Sequence, residues 1–200
     1  MSNAALHSPK PHPAHERIVE AARDLFCRQG IHATGIDTIL AAAGASKMTL
    51  YGRFGSKDAL LREVLSREGA DWREVFFAAV TAAADNPLAQ LTAIPAALDH
   101  WYQGGRLYGC AFMNAIAEHD KTEQWLRQIT ADHHRMVLAF FAGLATQAQF
   151  AEPEILARQL LLLIDGANAA LMVTNDPSVL EITQRNLDAV LAMARRTCQG

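Results

Sequence analysis

Lys47, Met48, Thr49, Tyr51 and Arg53 place two cations, a hydroxyl, a phenol and a thioether within two helical turns of one another. Cations and hydroxyls grouped this way reach phosphates and base edges in a nucleic-acid groove. Plainer roles exist for each of them. Tyr51 also suits half-buried packing, and Arg53 suits a surface ion pair. What tips the balance is the joint ahead of them, Gly44-Ala45-Ser46-Lys47. It supplies a glycine able to adopt positive φ, a small residue and then a helix cap, as the turn of a helix-turn-helix requires.

The elements that must position this face follow from periodicity and caps. Ile18, Ala21, Ala22, Leu25 and Phe26 form one helical stripe over about residues 15–29, closed by Gly30. A second helix is expected over 36–43, started near Thr34 and stopped by Gly44, and a third over 47–54 behind Ser46. Ile39, Leu50 and Phe54 then meet beneath Leu25 and Phe26, which leaves the 47–53 face to solvent. Ser56 caps a long fourth helix to about residue 83, ended by Asp85-Asn86-Pro87. Further helices are expected over 88–102, 108–119, 122–149, 153–174 and 178–197. With no alternating β-type run in the chain, the sequence predicts an all-α protein of about nine helices. Its domains are a lead-in over 1–13, a helix-turn-helix domain over 14–62 and a helical domain over 63–200.

The ordered set Arg17-Ile18, Ala21-Ala22, Leu25-Phe26, Gly30, Ala33-Thr34, Ile36, Ile39, Ala43-Gly44-Ala45-Ser46-Lys47, Thr49-Leu50-Tyr51, Phe54 and Ser56-Lys57-Asp58-Ala59-Leu60 resembles the TetR family of bacterial transcriptional repressors. The resemblance makes the helix bearing Thr49-Leu50-Tyr51 the recognition helix and implies phosphate contacts at Tyr51 and Lys57. An ammonium beside the free N–H groups of a helix start is itself an anion site, which supports Lys57 independently. Thr34, Ser46 and Arg53 join the expected DNA-contacting set, with base reading on Lys47, Met48 and Thr49. The sequence departs from the family at Gly35, which replaces a hydroxyl residue and rests the second helix's cap on Thr34. It departs again at Leu40, Arg53 and Gly52, the last predicting a recognition helix that frays without DNA.

Beyond residue 85 the resemblance is general and implies a divergent ligand-binding and dimerising domain. Residues 160–173 are apolar nearly all round. With Val179, Ile182, Leu187, Val190, Leu191 and Ala194 they resemble a paired-helix homodimer interface, an ordinary core being the alternative. Two recognition helices about 34 Å apart would then read a palindromic operator on double-stranded DNA. Candidate walls for a small-molecule inducer are Trp101, Tyr102, Phe112, Met113, Trp125, Met136, Phe140 and Met172, with Asn114, His133 and Asn168 as polar handles. Arg106 offers an anion contact or a helix cap. Cys110 behind Gly109 offers a redox or electrophile sensor, or else a buried small hydrophobe. Cys110, His119, Asp120, His133 and His134 lack any diagnostic metal or catalytic spacing, so neither enzyme nor cofactor is expected.

Composition frames these readings. Two hundred residues, 50% hydrophobic and 20% charged, suffice for one core or two small ones. A net charge of -3 argues at first against a polyanionic partner. The charge is uneven, however: residues 1–67 carry a net +3 and residues 68–200 a net -6. The basic excess falls on the candidate nucleic-acid segment. The longest uncharged stretch, 136–151, is shorter than the roughly 18 apolar residues of a membrane span, and residues 1–13 lack an apolar signal run. With three scattered cysteines, Cys27, Cys110 and Cys198, the expectation is a cytoplasmic protein with free thiols.

Overall fold

The computed structural model describes residues 13–103, 108–120 and 122–196, and every regular element among them is an α-helix. The helices are α1 (Ala14–Gln29), α2 (Ile36–Ala43), α3 (Lys47–Phe54), α4 (Lys57–Ala82), α5 (Pro87–Thr92), α6 (Ile94–Gln103), α7 (Ala111–Glu118), α8 (Gln124–Gln147), α9 (Pro153–Thr174) and α10 (Ser178–Arg196). The expectations placed on residues 1–12, Arg106 and Cys198 lie outside the described residues. Two compact units divide the chain, Met1–Val64 and Leu65–Gly200.

Among the described residues ten helices stand where about nine were expected, because residues 88–102 break in two. Pro95 has no N–H for the carbonyl one turn back, so α5 ends at Thr92 and α6 restarts at Ile94. Asn86 caps α5 by accepting the Ala89 N–H at 2.9 Å. Helix α7 begins three residues later than expected, since Gly109 sits at φ 76° and only after it does Cys110 open the helix. Ahead of α8 the Asp120 carboxylate accepts both the N–H and the hydroxyl of Thr122 at 2.8 Å, a local turn that delays the helix to Gln124.

In the first unit α1 packs on α2 and α3. Its core is Ile18, Val19, Ala22, Phe26, Ile31, Ile39, Leu40, Leu50, Leu60 and Leu61. Leu25 and Phe54, expected in that core, are only half-buried. Val19 and Leu40, which were not expected there, are buried along with the expected Ile18.

The second unit is organised around α9, which packs on α8 and α10. Leu156, Leu160, Ile164 and Leu171 face inward there against Phe141, Leu144, Leu187 and Leu191 of one continuous core. Phe76 of α4 meets Phe141 edge-on at 6.3 Å, and Phe77 stacks on Phe140 at 4.0 Å. By length and composition α9 is apolar enough to cross a membrane. Arg158 and Asp165 interrupt its apolar run, so no long uncharged stretch of sequence marks it. One such helix, whose inner face is the centre of a packed core, is weak support for a span.

Candidate nucleic-acid interface

Helix α3 is built to hold one face in and the other out. Ser46 is its N-cap, accepting the Thr49 N–H at 3.2 Å. Gly44 closes α2 in the left-handed region, φ 56° and ψ 44°, with its N–H returned to α2 carbonyls. The turn is locked from outside as well. The Arg17 guanidinium donates to the Ala43 and Gly44 carbonyls at 2.9 and 3.1 Å, satisfying the C-terminus of α2 with a charged donor. Arg17 stands 26 positions before Ala43, so no local signal in the sequence announced this role. Leu50 is fully buried beneath α3, while Met48 is 83% and Tyr51 49% exposed. Arg53 is exposed and makes no ion pair among the described residues. Gly52 lies inside an unbroken helix that runs from the Ser46 cap through Phe54, with Leu50 anchoring the turn before it.

Four of the expected contact residues have protein partners that redefine them. Thr34 is wholly buried, and its hydroxyl donates to the Gly30 carbonyl at 2.7 Å and stands 3.3 Å from that of Leu25. It is therefore a lock on the α1–α2 connection and neither a DNA contact nor a cap. The cap position of α2 falls to Gly35, which has no side chain to offer. Lys47 pairs with Asp37 at 2.9 Å on the protein surface. The hydrogen bond that the ammonium donates to that carboxylate, then the carboxylate's charge, holds the Lys47 pKa above its ordinary value. Asp37 is thus a competitor for any phosphate or base that Lys47 reaches. The Thr49 hydroxyl lies 3.0 Å from that of Ser46, so the cap holds it. Lys57 donates to the Ile31 carbonyl at 2.6 Å and lies 5.9 Å over the Phe26 ring. It staples the α1–α2 connection to the start of α4, where Ser56 accepts the Ala59 N–H at 3.0 Å. An ammonium has three protons, so this clamp leaves donors for an anion.

The second unit holds a partly enclosed pocket of about 520 Å³, counting the space open at its mouth. Five of the eleven expected ligand residues line it: Trp101, Tyr102, Phe112, His133 and Asn168. The other six do not. Met113, Met136 and Met172 are surface residues, 42–45% exposed. Phe140 is taken up by Phe77, Trp125 lies edge-on to His119 at 6.3 Å, and the Asn114 amide donates to the Tyr108 carbonyl at 2.7 Å. Helical periodicity separates such faces only once the neighbours are known. Glu68, Trp72, Cys110, His134 and Asp165 line the pocket without having been foreseen as ligand residues. The i, i+3 spacing of Asp165 and Asn168 was the available signal for one of them.

The pocket's polar groups are strongly perturbed. Burial first, then the charges of Arg73 and His134, push His133 down to about 3. Arg73, itself lowered by burial, stands 2.9 Å from His133 Nδ1. A guanidinium only donates, so His133 is neutral with its proton on Nε2. Tyr102 donates to the Asn168 side-chain oxygen, and burial drives its phenol far above the ordinary value. Burial also raises the Cys110 thiol, which disfavours the thiolate that sensing chemistry requires. Gly69 of α4 is needed for closeness: a Cβ there would lie 2.8 Å from Phe112 and 3.1 Å from His133 Nδ1. Among the described residues no three metal-ligating side chains gather.

An all-α chain whose N-terminal unit presents the second member of a helix-turn-helix to solvent is, in class, a helix-turn-helix DNA-binding protein. Residues 18–64 match the family model described as bacterial regulatory proteins, tetR family. The transcriptional regulator UidR of Escherichia coli K12 is 34% identical over 56 residues, which cover 28% of this chain and 29% of that protein's length. A TetR-family transcriptional regulator from Streptomyces coelicolor superimposes with a TM-score of 0.81 at 28% identity, over 90% of this chain and 95% of its own. The regulatory protein TetR from Rhodobacter sphaeroides shares the fold, with a TM-score of 0.77 at 20% identity, over 87% and 96%. Residues 18–64 are thus similar to the N-terminal segment of the tetR family of bacterial regulatory proteins, and the fold of the chain is that of a solved TetR-family regulator.

Proposed function

We propose that this protein is a cytoplasmic transcriptional repressor that binds a palindromic operator as a homodimer and is released by a small molecule held in the second unit. The observation that carries the reading is the exposed face of α3, where Lys47, Met48, Tyr51 and Arg53 stand out from a helix otherwise anchored by Leu50. Tyr51, Lys47, Arg53 and the remaining donors of Lys57 reach phosphate, and Met48 and Lys47 reach base edges. Asp37 sets how readily Lys47 lets go of the protein for DNA.

Dimerisation is supported by what α9 and α10 leave outside the core. Ile155, Leu162, Gly166, Ala169 and Val173 fall on one stripe of α9, with Leu162 72% and Val173 78% exposed. Ile182, Ala189 and Met193 do the same on α10, at 54% exposure for Ile182 and 62% for Met193. Two apolar stripes with small residues at their middles suit a symmetric four-helix contact. The effector acts by population shift, binding the form whose recognition helices are wrongly spaced better than the operator-bound form.

Selection of bound duplexes from a random pool tests this reading. The enriched fragments are expected to share a pseudo-palindrome whose half-sites lie one helical turn apart, about 10 base pairs. Recovery of fragments without two-fold symmetry contradicts it.

A further inference from the structure

The polar groups of the pocket in the second unit point to the charge of what it holds, an argument that rests on the pocket being the effector site. Asp165 and Asn168 lie one turn apart on α9 and both line the pocket. Asn168 is only 9% exposed. Its side-chain oxygen accepts the Tyr102 hydroxyl, and its amide protons have no acceptor among the described residues. The Asp165 carboxylate makes neither a hydrogen bond nor an ion pair there. It sits among Trp72, Trp101, Tyr102 and Phe112. A carboxylate withdrawn into such walls is costly without a counter-charge, and burial accordingly raises its pKa.

The protein supplies little positive charge to that spot. His133 is neutral, and Arg73 spends its guanidinium on His133 Nδ1. His134 also lines the pocket, and its charge favours the carboxylate without a hydrogen bond or ion pair to it. Glu68 adds a second carboxyl group to the wall. An organic cation would meet Asp165 directly and lie against electron-rich ring faces. An anion would meet the Asp165 carboxylate instead.

We infer that the effector is an aromatic organic cation whose protonated amine or amidine group sits on Asp165 while a neighbouring acceptor atom takes the Asn168 amide. The three-membered series 2-naphthylmethylamine, 2-naphthylmethanol and 2-naphthoate varies charge on one ring system. Isothermal titration of the full-length protein is expected to show the amine binding about tenfold tighter than the alcohol, with the carboxylate weakest. In Asp165→Asn the amine's advantage over the alcohol is expected to disappear. An alcohol or carboxylate that equals or exceeds the amine on the unaltered protein overturns the cation inference and leaves the effector pocket standing. A preference for the amine that survives in Asp165→Asn overturns the assignment to that carboxylate. Failure of all three compounds to bind overturns both the inference and the pocket on which it rests.

Discussion

Single residues set the geometry of the α2–α3 joint, and they do so through backbone conformation more than through side-chain contacts. Gly44 holds φ 56°, where a Cβ is strained although nothing crowds it. Gly44→Ala is expected to lower the stability of the first unit by about 1–2 kcal/mol in denaturant melts, with Gly44→Val costing more. Gly52 is the opposite case. It lies mid-helix with open space around its Cα, so Gly52→Ala is expected to stabilise that unit by up to about 1 kcal/mol in the same melts. Both glycines stand out in the sequence, and their roles were legible there: Gly44 as a cap, Gly52 as a cost. Thr34 was not. A hydroxyl two residues before a helix begins reads equally as a cap or as a buried lock, and only the positions of the Gly30 and Leu25 carbonyls decide between them.

At the level of elements, the helices were largely legible because amphipathic stripes and caps are local. The breaks at Pro95 and Gly109 were legible in kind and overlooked in place. The pocket was legible only in part, since which face of α6, α7, α8 or α9 turns inward depends on neighbours distant in the chain. Asn168 and Asn114 are both amides on apolar helix faces, yet one lines the pocket and the other serves a carbonyl on the connection before α7. Helix α8 carries a testable consequence in His133. Its pKa lies near 3 in the folded protein against an ordinary 6.5, so between those values the unfolded chain binds more protons than the native one. Stability of the second unit therefore rises with pH through that window and is lost on acidification. In His133→Gln the slope of unfolding free energy against pH, measured in urea melts between pH 4 and 7, is expected to be shallower by up to one proton.

Over the whole molecule, charge and apolar surface are segregated. The net +3 of residues 1–67 belongs to the segment that would meet phosphate, and the net -6 of residues 68–200 to the part that would bind effector and partner. The average over the chain concealed this, which is why an acidic composition did not exclude a nucleic-acid partner. The exposed stripes of α9 and α10 belong to the same scale. Leu162→Glu combined with Val173→Glu places charges in the middle of the proposed contact. Sedimentation is expected to show a monomer for this variant and a dimer for the parent at micromolar concentration. A parent that sediments as a monomer there contradicts the assignment of those stripes.

The central claim is that the exposed face of α3 binds operator DNA, and fluorescence anisotropy with a selected operator tests it most directly. Tyr51→Ala, which removes a side chain that is half exposed and makes no core contact of the Leu50 kind, is the informative variant. Weaker binding to specific and non-specific duplexes alike is expected, together with a smaller dependence of affinity on salt when Arg53 is also changed to Ala, by about one unit of slope. A Tyr51→Ala, Arg53→Ala protein that binds the operator with the parent's affinity and the parent's salt slope would contradict it.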